Sequence, residues 1–188
     1  MSRRLPILLL SVAAIMGGGL AIYRITHRAD AIVLSTPGVP EPSKLPVAPK
    51  LAGRALPNVP LQDFSGAKRS LADLKGKPAV INVWQESCLP CKDEMPAFEK
   101  VHQAVGDRIH FVGMDTQDSI ELARAFAKKV GVTYDLWRDP DGQLFTALGL
   151  TSFPDTLLVD ASGIIVFSKS GPMTAEQLTA KLNEVFPA

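Results

Sequence analysis

Ala79-Val-Ile-Asn-Val-Trp84-Gln-Glu-Ser-Cys88-Leu-Pro-Cys91-Lys-Asp-Glu94-Met-Pro96 is the stretch on which the fold turns. The apolar run Ala79–Trp84 follows the breaker Gly76-Lys77-Pro78 and predicts a buried strand. Lys92–Val105 is helical in character, with Gly106 as its stop, and the cysteine pair opens that helix. The placement has a chemical meaning. Unpaired N–H groups and the helix dipole favour negative charge at a helix N-terminus, so the first cysteine is expected to be the reactive thiolate. A three-residue step brings the second sulfur to the first across one turn. Exchange would then run through a mixed disulfide, with Cys88 attacking and Cys91 resolving.

Other uses of two cysteines fit less well. A c-type haem site requires His after the second cysteine, and Lys92 stands there. A zinc finger requires two closely spaced histidines, whereas His102 and His110 are eight apart. Two cysteines are too few for a four-cysteine zinc site, so no metal is expected. A permanent structural disulfide stays open, although so short a loop constrains little of the unfolded chain.

Outward from the motif, strands are expected at Arg108–Met114, Tyr134–Trp137, Thr156–Asp160 and Ile164–Ser168. Helices are expected at Ser119–Lys129, with Leu122, Ala125, Phe126 and Val130 as its apolar stripe, at Gly142–Leu148, and from the cap Thr174 to Phe186. Strand–helix–strand–helix followed by hairpin–helix predicts an α/β fold, a mixed sheet flanked by helices.

The N-terminus reads differently. Leu5–Tyr23 carries no charge and follows Arg3 and Arg4, the pattern of a membrane anchor or a cleaved export signal. Pro37, Pro40, Pro42, Pro46 and Pro49 then favour an extended spacer. The expected organisation is a targeting segment over 1–24, a linker over 25–53 and one domain over 54–188. Length agrees, since 188 residues is about one domain. The net charge of +1 hides a split: 6 − 2 = +4 over residues 1–50 and 14 − 17 = −3 beyond. A mildly acidic body lacks the basic footprint of a nucleic-acid binder.

The segment Trp84–Pro96, the lead-in Ser70-Leu-Ala-Asp-Leu-Lys-Gly-Lys77 and Phe153-Pro154 before a strand resemble the membrane-tethered, extracytoplasmic thioredoxin-like proteins of the TlpA/ResA/CcmG group. The resemblance covers residues 54–186. It implies a thioredoxin-like fold, a cis Pro154 whose loop faces the cysteines, and a role for Glu94 in handling thiol protons. Without the resemblance, Glu94 reads equally as a first-turn charge complementing the dipole. Ser87, Ser152 and Asp155 depart from the group's usual Trp, Gly and Thr, which bears on substrate choice.

The expected activity is thiol–disulfide exchange with extracytoplasmic proteins, run as a reductant as in cytochrome c maturation. Cys88, Cys91 and Glu94 are the catalytic candidates, and Trp84, Phe153 and Pro154 the substrate-binding ones. Asn82 reads as a proton-inert partner or a satisfied core amide. No cofactor is implied, because the cysteines carry the electrons, and a membrane redox partner would recycle them. A copper-binding assembly factor is the rival from another class, disfavoured by the two-residue cysteine spacing. A thiol peroxidase would need a Thr-x-x-Cys site that the chain lacks.

Overall fold

The computed structural model describes residues 50–187. The expected targeting segment and most of the expected linker lie outside the described residues. Among the described residues, no helix is long and apolar enough to cross a membrane.

Seven strands form one sheet: β1 (Leu61–Asp63), β2 (Lys68–Arg69), β3 (Ala79–Trp84), β4 (His110–Thr116), β5 (Asp135–Asp139), β6 (Asp155–Val159) and β7 (Ile165–Ser170). Their order is β2-β1-β5-β4-β3-β6-β7. β3, β4 and β5 run parallel, and the outer strands join antiparallel. The helices are α1 (Leu89–Val105), α2 (Ile120–Val130), α3 (Gln143–Leu148) and α4 (Ala175–Val185). All six residues of β3 are buried, as a strand covered on both faces requires. Ile81 and Val83 belong to the core with Leu61, Met114, Leu144 and Leu157. Val80 and Trp84 belong to the core on the other face, with Met95, Phe98, Phe126 and Leu178.

The expected elements are present, with shifted ends. α1 begins at Leu89, three residues before the expected helical run, because the cysteine turn is already helical. Ser119 caps α2 through its side chain, and Gly131 closes it at φ 72°, where a left-handed residue is required. The expected stripe of α2 is corrected: Ala123, Phe126 and Ala127 are buried, while Leu122 is 50% exposed. Leu122 is one residue, about 100°, away from Ala123 around the helix. Thr174 caps α4 in a reciprocal capping box with Gln177.

The β1–β2 hairpin is an addition to the sequence reading. Its turn is organised by Asp63, whose carboxylate accepts the N–H groups of Ser65 and Ala67 and pairs with Arg69 at 2.8 Å. The lead-in segment forms a 3₁₀ turn, Leu71–Leu74, capped by Ser70 with Asp73 bonding back to it.

Candidate active site

The site lies at the carboxyl ends of the parallel strands β3, β4 and β5, where open α/β sheets place their ligands. Cys88 is the N-cap of α1 and Cys91 lies in its first turn. The two sulfurs are joined in a disulfide with Cα atoms 5.4 Å apart. Cys88 is 8% exposed and Cys91 is 0% exposed, so a partner meets Cys88 first. The Cys91 N–H donates to Cys88 Sγ at 3.2 Å, a contact that would favour a thiolate once the bond is reduced. Leu89, 70% exposed, stands beside the pair.

Glu94 follows Cys91 by one turn of α1 and is 2% exposed. Its Oε2 accepts the Asn82 Nδ2–H at 2.8 Å, and its Oε1 accepts the Met173 N–H at 2.8 Å. Burial lifts the carboxyl to about 7; the two donors and Lys169 oppose that rise without cancelling it. A first-turn charge complementing the dipole would sit in water, so the surface reading of Glu94 does not hold. Asn82 is half satisfied: its Oδ1 has no partner among the described residues.

The Phe153–Pro154 peptide is cis. Pro154 is buried, and its carbonyl accepts the Gly171 N–H at 2.8 Å. Phe153 is half-buried and packs on Phe145, with ring centroids 4.8 Å apart. Trp84, expected among the substrate-binding residues, is corrected to a core residue. It is 0% exposed and stacks on Phe126 at 5.0 Å, leaving no surface for a substrate. Gly113 makes room for it, since a Cβ there would lie 3.1 Å from the indole Nε1 and 2.8 Å from Leu136. Lys92 is half-buried, His102 is close to Glu99, and His110 pairs with Asp135; both histidines lie outside the site.

Other polar groups border the site outside the catalytic and substrate-binding candidates read from the sequence. Asp155, next to Pro154, is 1% exposed; burial raises its carboxyl to about 6 against the Ser170 hydroxyl at 2.7 Å. Asp115 lies next to the last residue of β4, opposite Trp84, and Arg138 lies opposite Asp115 on β5. A sequence signal exists for Asp115 and Asp118: two carboxylates at the carboxyl end of a strand expected to neighbour the cysteine-bearing one. Among the described residues no cluster of His, Cys, Asp and Glu could hold a metal.

Comparison with known proteins agrees with this geometry. The family described as AhpC/TSA matches residues 52–168. The thioredoxin-like protein YneN of Bacillus subtilis is 33% identical over 134 residues, covering 70% of this chain and 78% of that one. The thiol:disulfide interchange protein HelX of Rhodobacter capsulatus is 32% identical over 146 residues, covering 76% and 80%. A crystal structure of a secreted Mycobacterium tuberculosis disulfide oxidoreductase homologous to Escherichia coli DsbE superimposes with a TM-score of 0.62. It is 24% identical, covers 68% of this chain and 96% of its own, and shows the fold.

Proposed function

The chain belongs to the AhpC/TSA family and is a thiol–disulfide oxidoreductase, and we propose that it reduces disulfides in proteins outside the cytoplasm, with Cys88 attacking and Cys91 resolving. The observation that carries this reading is the asymmetric disulfide at the start of α1, with Cys88 slightly exposed and Cys91 fully sealed.

Each step follows from that asymmetry. The Cys88 thiolate attacks one sulfur of a substrate disulfide and expels the other as a thiolate, leaving a mixed disulfide. Cys91 gives up its proton and attacks Cys88 Sγ. That closes the Cys88–Cys91 bond and releases the substrate reduced by two electrons. Glu94, one turn along α1 and titrating near neutrality, takes up the Cys91 proton in this reading. The Phe153–Pro154 loop receives the extended substrate segment by β-addition. A membrane redox partner returns two electrons to the pair.

The reductant direction is supported by the resemblance to the TlpA/ResA/CcmG group. The extracytoplasmic setting is supported by the apolar run after Arg3 and Arg4, and by the secreted M. tuberculosis relative. Tethering through residues 1–24 belongs to the same proposal.

The test is a pair of variants. Cys91→Ser keeps the attacking thiol and loses resolution, so mixed disulfides with substrate proteins accumulate on non-reducing gels. Cys88→Ser traps few and loses turnover. The reverse pattern would overturn the assignment.

A further inference from the structure

Three strand ends meet in register beside the cysteine turn: Trp84 of β3 opposite Asp115 of β4, and Asp115 opposite Arg138 of β5. Asp115 is 0% exposed. Its Oδ2 accepts the Arg138 Nε–H at 3.3 Å, and its Oδ1 has no donor among the described residues. Asp118 follows three residues later in the loop after β4. Asp118 is also tied twice: its carbonyl accepts from Arg138 Nη2 at 2.6 Å, and its Oδ2 accepts the Glu86 N–H at 2.5 Å. Glu86 belongs to the turn that carries Cys88, and that turn has two further ties. Gln85 Nε2 donates to the Thr116 carbonyl at 3.3 Å, and the Cys88 N–H donates to the Gln85 carbonyl at 3.1 Å.

We propose that Asp115, Asp118 and Arg138 are positioning residues for Cys88: Arg138 spans Asp115 and the Asp118 carbonyl, and Asp118 holds the Glu86 N–H and so fixes the turn that presents the sulfur. This rests on the reading of Cys88 as the attacking thiol.

The charge count says how pH acts on this hold. Two neighbouring carboxyls cannot both ionise cheaply, and a single guanidinium offsets only one of them. Burial, and then Asp118, push the Asp115 carboxyl well above the ordinary carboxylate range, with Arg138 pulling the other way. The charged groups acting on Asp115 are Asp118 from the β4–α2 loop and Arg138 from β5. β3 and the cysteine turn supply Trp84, Gln85 and Glu86, which brings a half-buried carboxyl of its own to that turn. Losing the proton sets two like charges against each other. Asp118 is the partner on a loop, one whose Gln117 already occupies the left-handed region at φ 63°. Its displacement weakens the hold on Glu86 and changes how Cys88 is offered.

The test uses the full chain, 15N-labelled and oxidised so that neither thiol titrates, and follows the Glu86 amide resonance with pH. The wild type is expected to show a titration step at the Glu86 amide near pH 8, where Asp115 titrates, separate from any step of Glu86's own side chain. Asp115→Asn is expected to lose it, because the introduced amide donates to Asp118 at every pH. In the reduced protein the alkylation rate of Cys88 against pH should lose the matching inflection in Asp115→Asn. A Glu86 resonance that is flat near pH 8 in the wild type would overturn the proposal, and so would a step there that persists in Asp115→Asn, since another group, such as Glu94, would then be its source. Should Asp115→Asn fail to fold, the wild-type resonance still decides. If the Cys88 assignment is what fails, alkylation moves to Cys91 while the Glu86 step remains.

Discussion

α1 carries two buried glutamates, five residues apart, and the protein treats them in opposite ways. Glu94, at the cysteine end, is 2% exposed and raised to about 7. Glu99 is 7% exposed and sits below its ordinary value. Burial works to raise both. At Glu99 it is outweighed by the Thr133 hydroxyl at 2.6 Å, the Thr133 N–H at 2.8 Å and Gln103 Nε2 at 2.8 Å. Glu94 has two donors, and one of them is an amide whose own oxygen goes unpaired among the described residues. The lesson is that depth alone does not set a carboxyl's charge. The donors around it do, and at the redox end they are fewer. Glu99 is a bracket between α1 and the start of β5; Glu94 is left able to change its protonation state.

The most direct way to break this contrast is Glu94→Gln. A carboxyl with its folded value above its unfolded one weighs against the fold once ionised. Wild-type stability should therefore fall as pH rises from about 4.5 to about 7, by on the order of 3 kcal/mol relative to the variant. The check is the difference in urea midpoints between the two proteins across pH. A constant difference would mean that Glu94 does not titrate in the fold. Glu99→Gln should show the opposite sign at lower pH: its contribution is present at neutrality and is lost as pH falls through the depressed value. A smaller effect sharpens the reason for the contrast. Thr133→Val keeps the N–H donor and removes the hydroxyl. It should cost about 1–2 kcal/mol at neutral pH, and less in acid once Glu99 is protonated. Urea melts at two pH values measure this. The smallest effect is at His102, 3.7 Å from Glu99 and partly exposed. His102→Gln should change stability by less than about 0.5 kcal/mol, because the three hydrogen bonds already hold the carboxylate.

The same contrast marks how far the sequence can be read. The cysteine pair, the strand before it and the helix after it are local patterns, and the spacing of Glu94 from Cys91 is a property of one helix. What holds Glu94 is not local: the Met173 N–H lies 79 residues on. The pairing of Asp115 with Arg138 likewise depends on the register of two strands 23 residues apart. The strands of the β1–β2 hairpin are three and two residues long, too short for a period to show. The stripe of α2 misleads at Leu122 because small Ala123 and Ala127, not the larger leucine, face the sheet. Trp84 reads as a substrate-binding candidate because nothing in the sequence announces that Gly113 leaves a berth for its ring.

The short strap that precedes β1 has a mechanical consequence. The Gly53 N–H reaches the Ile165 carbonyl at 2.8 Å, the Ile165 N–H reaches the Arg54 carbonyl at 2.9 Å, and the Leu56 N–H reaches the Gly163 carbonyl at 3.0 Å. Leu51, just ahead of these bonds, is buried at 2% exposure. A pull on the domain through its N-terminal side is therefore taken up at the outer edge of β7. The cysteine turn hangs from β3, two strands inward, with β6 between them. Tension along the chain loads a strap and an edge strand and leaves the reacting sulfurs slack, so the domain can be towed without its chemistry being strained.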